Sequence, residues 1–145
     1  MTKPSDIRRL LLEAHEALRG DLAKVRAAAE GASAGPLLAA MHILLRAIRA
    51  HLDREHALLV PTLAQIDAWG PHRAERLERD LETERAWIAS AERWASQSGL
   101  SFTDIRRKAL DFVALVEAQL AVEEHRDLRP DLLTEYPFPI DFGGV

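Results

Sequence analysis

The sequence predicts an all-α protein, an up-down-up-down four-helix bundle, on three observations. Apolar residues recur at three- and four-residue spacing through four stretches of roughly 25 residues, the period of an amphipathic helix. The breaks between those stretches are short and carry glycine or proline, residues that end helices and shape tight connections. No window alternates with the two-residue period of a half-buried strand. Helices of similar length joined by short loops pack most simply as antiparallel neighbours.

Ser5 or Asp6 offers a side-chain oxygen to cap the first helix, expected from about Asp6 to Glu30 with the inward stripe Leu11, His15, Leu18, Leu22 and Val25. Gly31-Ala32-Ser33-Ala34-Gly35 breaks it, and Pro36 suits the first position of the next helix. Helix two is expected to reach about Pro61, with a continuation past a kink to Ala68 left open. Its stripe is Leu44, Ile48, His51, Glu55 and Leu58. Trp69-Gly70-Pro71 separates it from helix three, whose stripe is Leu77, Leu81, Glu84, Ile88 and Ala91. Gly99 is placed to close helix three. Ser101-Phe102-Thr103-Asp104 resembles a capping box with Asp in the acidic place. Helix four then carries Ala109, Phe112, Val116, Gln119 and Glu123 and ends before Pro130. Residues 1–135 are expected to form this one bundle. Residues 136–145 hold three aromatics, two prolines and a Gly-Gly pair, so a non-helical tail is expected there, strapped onto the bundle or free for a partner.

Composition narrows the function classes. With 48% hydrophobic and 29% charged residues, the chain falls among ordinary globular domains. A formal net charge of -4 argues against nucleic acid or an anionic membrane as partner. The chain has no cysteine, which removes disulfides, thiolate metal sites and cysteine nucleophiles. It shows no secretory signal and no 18-residue apolar run, so the cytoplasm is the expected location. No phosphate-binding glycine loop, nucleophile elbow or catalytic triad is present, so a binding protein is favoured over an enzyme, with the enzyme question left open. His42, His56, His72 and His125 fall off the core lines and read as surface residues; Trp69, Trp87 and Trp94 read as packing residues.

The informative feature is a polar layer. Each of the four apolar stripes is interrupted near its middle: by His15, by His51 and Glu55, by Glu84, and by Gln119 and Glu123. His15 and His51 both lie about 15 residues, roughly 23 Å, from the first loop. Glu55 and Glu84 each lie about 13 residues from the junction of helices two and three, so the members of each pair match in height. Gln119 and Glu123 come out lower by a turn or more. Uncompensated buried charge is costly, so such a layer calls for a metal or for a hydrogen-bonded, ion-paired network. His51 and Glu55, at i and i+4, can both reach an ion in the core. Imidazole with carboxylate suits iron, manganese or zinc. A faint repeat accompanies the layer: His51-Leu52-Asp53-Arg54-Glu55 before Pro61 is echoed by Gln119-Leu120-Ala121-Val122-Glu123 before Pro130.

At these residues the chain resembles the hemerythrin-like (HHE cation-binding) domain family. The resemblance rests on Glu13-Ala14-His15-Glu16-Ala17-Leu18, on His51 to Glu55 through Leu59-Val60-Pro61, and on Leu115 to Glu124. It spans about residues 6–133. It implies a four-helix bundle around a non-haem, oxo-bridged di-iron centre, in proteins that bind oxygen, store or sense iron, or respond to oxygen and nitric oxide. Carried over, His15, His51, Glu55 and Glu123 would be metal ligands. The helix-four histidine of the family is Gln119 here, and its helix-three histidine aligns with Glu84 or Arg85, of which the stripe favours Glu84. The resemblance therefore implies one iron on His15, His51, Glu55 and Glu123, with Glu84 assisting, and a depleted second position. Manganese or zinc on the same four residues, a metal-free structural or protein-interaction bundle, and an oxidase using Glu84 and Glu123 at a second metal are the competing expectations.

Overall fold

The computed structural model describes residues 3–135. The tail expected over residues 136–145 lies outside them. Four helices follow one another, α1 Pro4–Ala29, α2 Ala34–Ile66, α3 Gly70–Ser96 and α4 Phe102–Arg126, and no strand occurs among the described residues. The fold is all-α, with the four helices packed together.

Helix ends follow local chemistry, with two departures from expectation, at the start of α1 and the end of α3. Helix α1 starts earlier than Ser5 or Asp6 could cap it. Pro4 takes the first turn, Lys3 is the N-cap, and no side chain caps it, because proline's fixed φ already suits that position. The Ser5 N–H donates instead to Thr134 O at 2.9 Å. Helix α2 runs through Pro61 to Ile66; a proline inside a helix forfeits one backbone donor, and packing on both sides outweighs that loss. Helix α3 stops at Ser96, three residues before Gly99, and Gly99 instead takes φ +91 in the loop, where a Cβ would be strained. The Ser101 half of the capping box expected at helix four is present: its side chain accepts from the Asp104 N–H at 3.1 Å.

The three-residue connection before α3 is held by Asp67, which accepts from the Trp69 N–H at 2.9 Å and from Arg73 at 2.7 Å. Gly70 follows because a Cβ there would lie 2.7 Å from Ala64 O and also collide with Leu63 O. Trp69 is 69% exposed, contrary to its reading as a packing residue. The turn points it outward, whereas Trp94 is buried.

The apolar stripes meet in one core. Leu11 and Leu22 of α1, Leu37, Met41, Leu44, Leu52, Leu59 and Leu63 of α2, and Leu77 and Ile88 of α3 are fully buried. Helix α4 adds Ile105, Ala109, Phe112, Val113, Val116 and Leu120. Beyond α4 the chain turns back, burying Leu128, Leu132 and Leu133. Polar pairs tie neighbouring helices along the outer edges of their interfaces. Between α1 and its return partner, Arg8 Nε donates to Leu128 O at 2.7 Å, Arg19 pairs with Glu124, and Arg26 pairs with Glu117. Arg49 of α2 pairs with Glu92 and Asp53 with Arg85 at 2.9 Å. Arg126 joins α4 to Asp80 of α3, and Arg76 lies 3.4 Å from the fully buried Asp127. In each series the partner's number falls as the residue's number rises.

Candidate metal centre

The polar layer is buried where the stripes predict it. His15, His51, Glu55, Glu84 and Glu123 are all buried, from 0% to 7% exposed, each because its own helix places it among core leucines. His15 lies between Leu11 and Leu18 on α1. His51 and Glu55 are one turn apart on α2, on the same face. Glu123 follows Val116 and Leu120 on α4.

Four of the five come together. His15, His51, Glu55 and Glu123 each offer one ligand atom, and these atoms all lie within 4.8 Å of one another. Two ligands on opposite sides of one ion stand about 4.0–4.4 Å apart, twice a bond of about 2.0–2.2 Å. The group is thus a few tenths of an ångström wider than a closed shell, within reach of small side-chain shifts. Glu84 is buried next to this group and feels the charges of Glu55 and Glu123, but it is not among the four. Arg85 is partly exposed and pairs with Asp53, so Glu84 is the inward residue of the two. Gln119 is half-buried with its Nε2 enclosed.

Glu123 corrects the height estimate. Counted from the α3–α4 loop it falls a turn or more below the layer, yet its Oε1 lies 3.0 Å from His15 Nε2. Helix α4 takes its register from α1, through Arg8, Arg19 and Arg26, so the α3–α4 loop is a poor origin for counting.

The hydrogen bonding of the group is unequal. His15 is saturated: Nε2 faces Glu123 and also lies 3.8 Å from Glu55 Oε1, and Nδ1 lies 2.9 Å from Glu124 Oε2. His51 is not. Its Nε2 lies against Glu55 Oε1, but neither ring nitrogen makes a hydrogen bond, and Glu55 Oε2, Glu84 Oε2 and Gln119 Nε2 are also buried without a partner. Buried polar atoms are nearly always satisfied, so this concentration of exceptions in one layer makes it the candidate site.

Electrostatics agree. Burial works against charge on both histidines. In His15 the hydrogen bonds to Glu123, Glu55 and Glu124 override it and raise the pKa to about 10. In His51 burial prevails and lowers it to about 4, leaving a neutral imidazole with a lone pair to give. Burial and the neighbouring Glu55 raise Glu123 well above the usual carboxylate range. Burial, followed by the charges of Glu55, Glu123 and Asp80, raises Glu84 to about 9. The layer as it stands retains protons on His15, Glu84 and Glu123.

Sequence reasoning passed over Glu124 and Arg19, which flank the group. Arg19 accompanies His15 at i+4, a same-face spacing that is a usable signal. Nothing local distinguishes Glu124 from its neighbour Glu123. His42, His56, His72 and His125 are exposed, as expected. No helix among the described residues is long and apolar enough to cross a membrane. Comparison with known protein families, curated proteins and solved structures finds no match for this chain.

Proposed function

We propose that the chain is a metal-binding module of the hemerythrin-like kind, an up-down-up-down bundle holding one ion on His15, His51, Glu55 and Glu123. Iron is the favoured ion, with manganese or zinc open to the same donors. The observation that carries this reading is the buried convergence of four donor atoms from three helices, all within 4.8 Å, around a histidine with no hydrogen bond. The topology is supported by the opposed numbering of the ion pairs along α1 and α4, α2 and α3, and α3 and α4.

Each side chain has a definable task. His51, neutral and without a hydrogen bond although Glu55 lies against it, gives a nitrogen. Glu55 gives an oxygen while its second oxygen remains free for a further contact. His15 and Glu123 exchange their mutual hydrogen bond for the ion, releasing protons as ligands must. Two carboxylates neutralise a divalent cation in a medium that excludes water. A bound iron supplies redox chemistry and affinity for oxygen or nitric oxide, which points to sensing or storage. Glu84 stands close enough to compensate charge, and Gln119 stands where the resemblance expects a second histidine, so one ion is the expected load.

A metal-free interaction bundle is favoured by one observation: both His15 nitrogens are already hydrogen-bonded to carboxylates. That network leaves His51 unexplained. Metal analysis after anaerobic reconstitution with ferrous iron separates the readings, in wild type and His51→Ala. About one ion per chain, lost in the variant, is expected. No metal in either, with normal folding, overturns the proposal; about two per chain with an oxygen-dependent colour would restore the di-iron reading.

A further inference from the structure

We propose that Glu124, held by Arg19, is a positioning residue that fixes the His15 ring with Nδ1–H outward and Nε2 toward the metal group. The inference rests on the metal reading above and adds an outer partner to it. Glu124 Oε2 lies 2.9 Å from His15 Nδ1, and Arg19 grips the same carboxylate twice, Nη1 to Oε2 at 2.9 Å and Nη2 to Oε1 at 2.7 Å. A carboxylate gripped by a guanidinium is an acceptor only, so Nδ1 must carry the hydrogen. That assignment leaves Nε2, which faces Glu123 and Glu55, as the atom that can exchange its hydrogen bond for an ion.

The geometry supplies what a metal-bound histidine needs. The ring nitrogen away from a metal generally donates to a carboxylate or carbonyl, which sets tautomer and orientation. His15 has that partner, whereas His51 Nδ1 has none. Arg19 and Glu124 come from different helices, so the bidentate pair also fixes where the acceptor stands relative to the ring. The pair sits at the edge of the protein interior: a groove of about 630 Å³ between α1 and the end of α4, lined by Arg8, Leu12, Arg19 and Glu124 among others, opens outside it. Removing the carboxylate would admit water from this groove. Water can accept from Nδ1 but cannot hold the ring in one orientation. A loss of affinity is therefore expected without a loss of the fold.

A plain interhelical ion pair would also be stabilising, so the test must tell orientation from stability. Ferrous iron affinity is measured anaerobically by chelator competition for wild type, Glu124→Ala, Glu124→Gln and Arg19→Met, with thermal melts of the metal-free proteins alongside. Glu124→Ala is expected to bind about 10–100-fold more weakly. Glu124→Gln keeps an acceptor oxygen and should recover most of that loss; Arg19→Met should lose severalfold. In the zinc-loaded protein, ring nitrogen NMR of His15 should show Nδ1 protonated in wild type and in Glu124→Gln. Wild-type affinity in Glu124→Ala, or a melt shift with no affinity change, overturns the positioning role and leaves the metal reading intact. If wild type binds no ion, the metal reading itself fails. If Glu124→Ala does not fold, Arg19→Met decides, and unchanged affinity there overturns the proposal.

Discussion

His15 and His51 stand edge to face, ring centroids 4.8 Å apart and planes 65° apart, and their surroundings drive them to opposite protonation states. Burial acts against charge on both, but only His15 has carboxylates bonded to its ring nitrogens, reaching about 10, while His51 falls to about 4. One imidazole is committed to its neighbours and the other is available. An ion bound between them would replace that asymmetry with two equivalent donors.

Binding should show as stability. An ion that binds the folded chain alone, at about 100 times its dissociation constant, adds about 2.7 kcal/mol. For a chain of this size the melting temperature should rise by roughly 5–10 °C. Calorimetry with and without zinc, followed by chelator, checks this. His51→Ala should melt at one temperature under all conditions, and a wild type indifferent to the metal would contradict the site.

Glu84 gives the metal-free protein a pH signature. The folded chain keeps its proton up to about 9, whereas the reference carboxyl releases it near 4.5. Between these values the folded state binds more protons than the unfolded state, so stability falls as pH rises through the window. Glu84→Gln cannot ionise. It should therefore be more stable than wild type at neutral pH by about 1–3 kcal/mol, with the gap closing below about pH 4. Urea unfolding at several pH values measures it, and a variant no more stable than wild type at neutral pH would show that Glu84 is not held protonated.

How much of this was legible in the sequence differs by level. The four helices were, because the three-four spacing of Leu11, Leu18, Leu22 and their counterparts is local information. So was the burial of His15, His51, Glu55, Glu84 and Glu123, which share those stripes. The height of Glu123 was not, since it depends on how α4 registers against α1 across 108 residues of chain. Trp69 misled for a similar reason: its size suggests burial, but the turn at Asp67 and Gly70 decides its direction. Glu124 and Arg19 gave no apolar-stripe signal because they lie at the rim, half out of the core.

The turn itself is testable. Gly70→Ala would drive a Cβ onto the Leu63 and Ala64 carbonyls, and backbone cannot move aside as a flexible side chain can. Overpacking of that kind costs about 1–3 kcal/mol. Chemical denaturation should register the full loss, and an unchanged midpoint would mean that the α2–α3 connection relaxes freely.

Ser101 offers a milder perturbation. Its side chain satisfies the Asp104 N–H, and Ser101→Ala should cost about 1 kcal/mol. Hydrogen exchange should report faster opening over the first turn of α4 while the amides around Leu52 stay protected. Equal exchange in that first turn would remove the cap from the account.

The contact between Ser5 and Thr134 and the meeting of His15 with Glu123 carry a consequence for the chain during its synthesis. Its first helix must wait for its last. A nascent chain ending within α3 already carries both histidines and Glu55, but lacks Glu123 and the Glu124 that steadies His15. On the proposed reading, the full set of four donors would exist only once α4 has packed against α1, so a bound ion would report an assembled bundle.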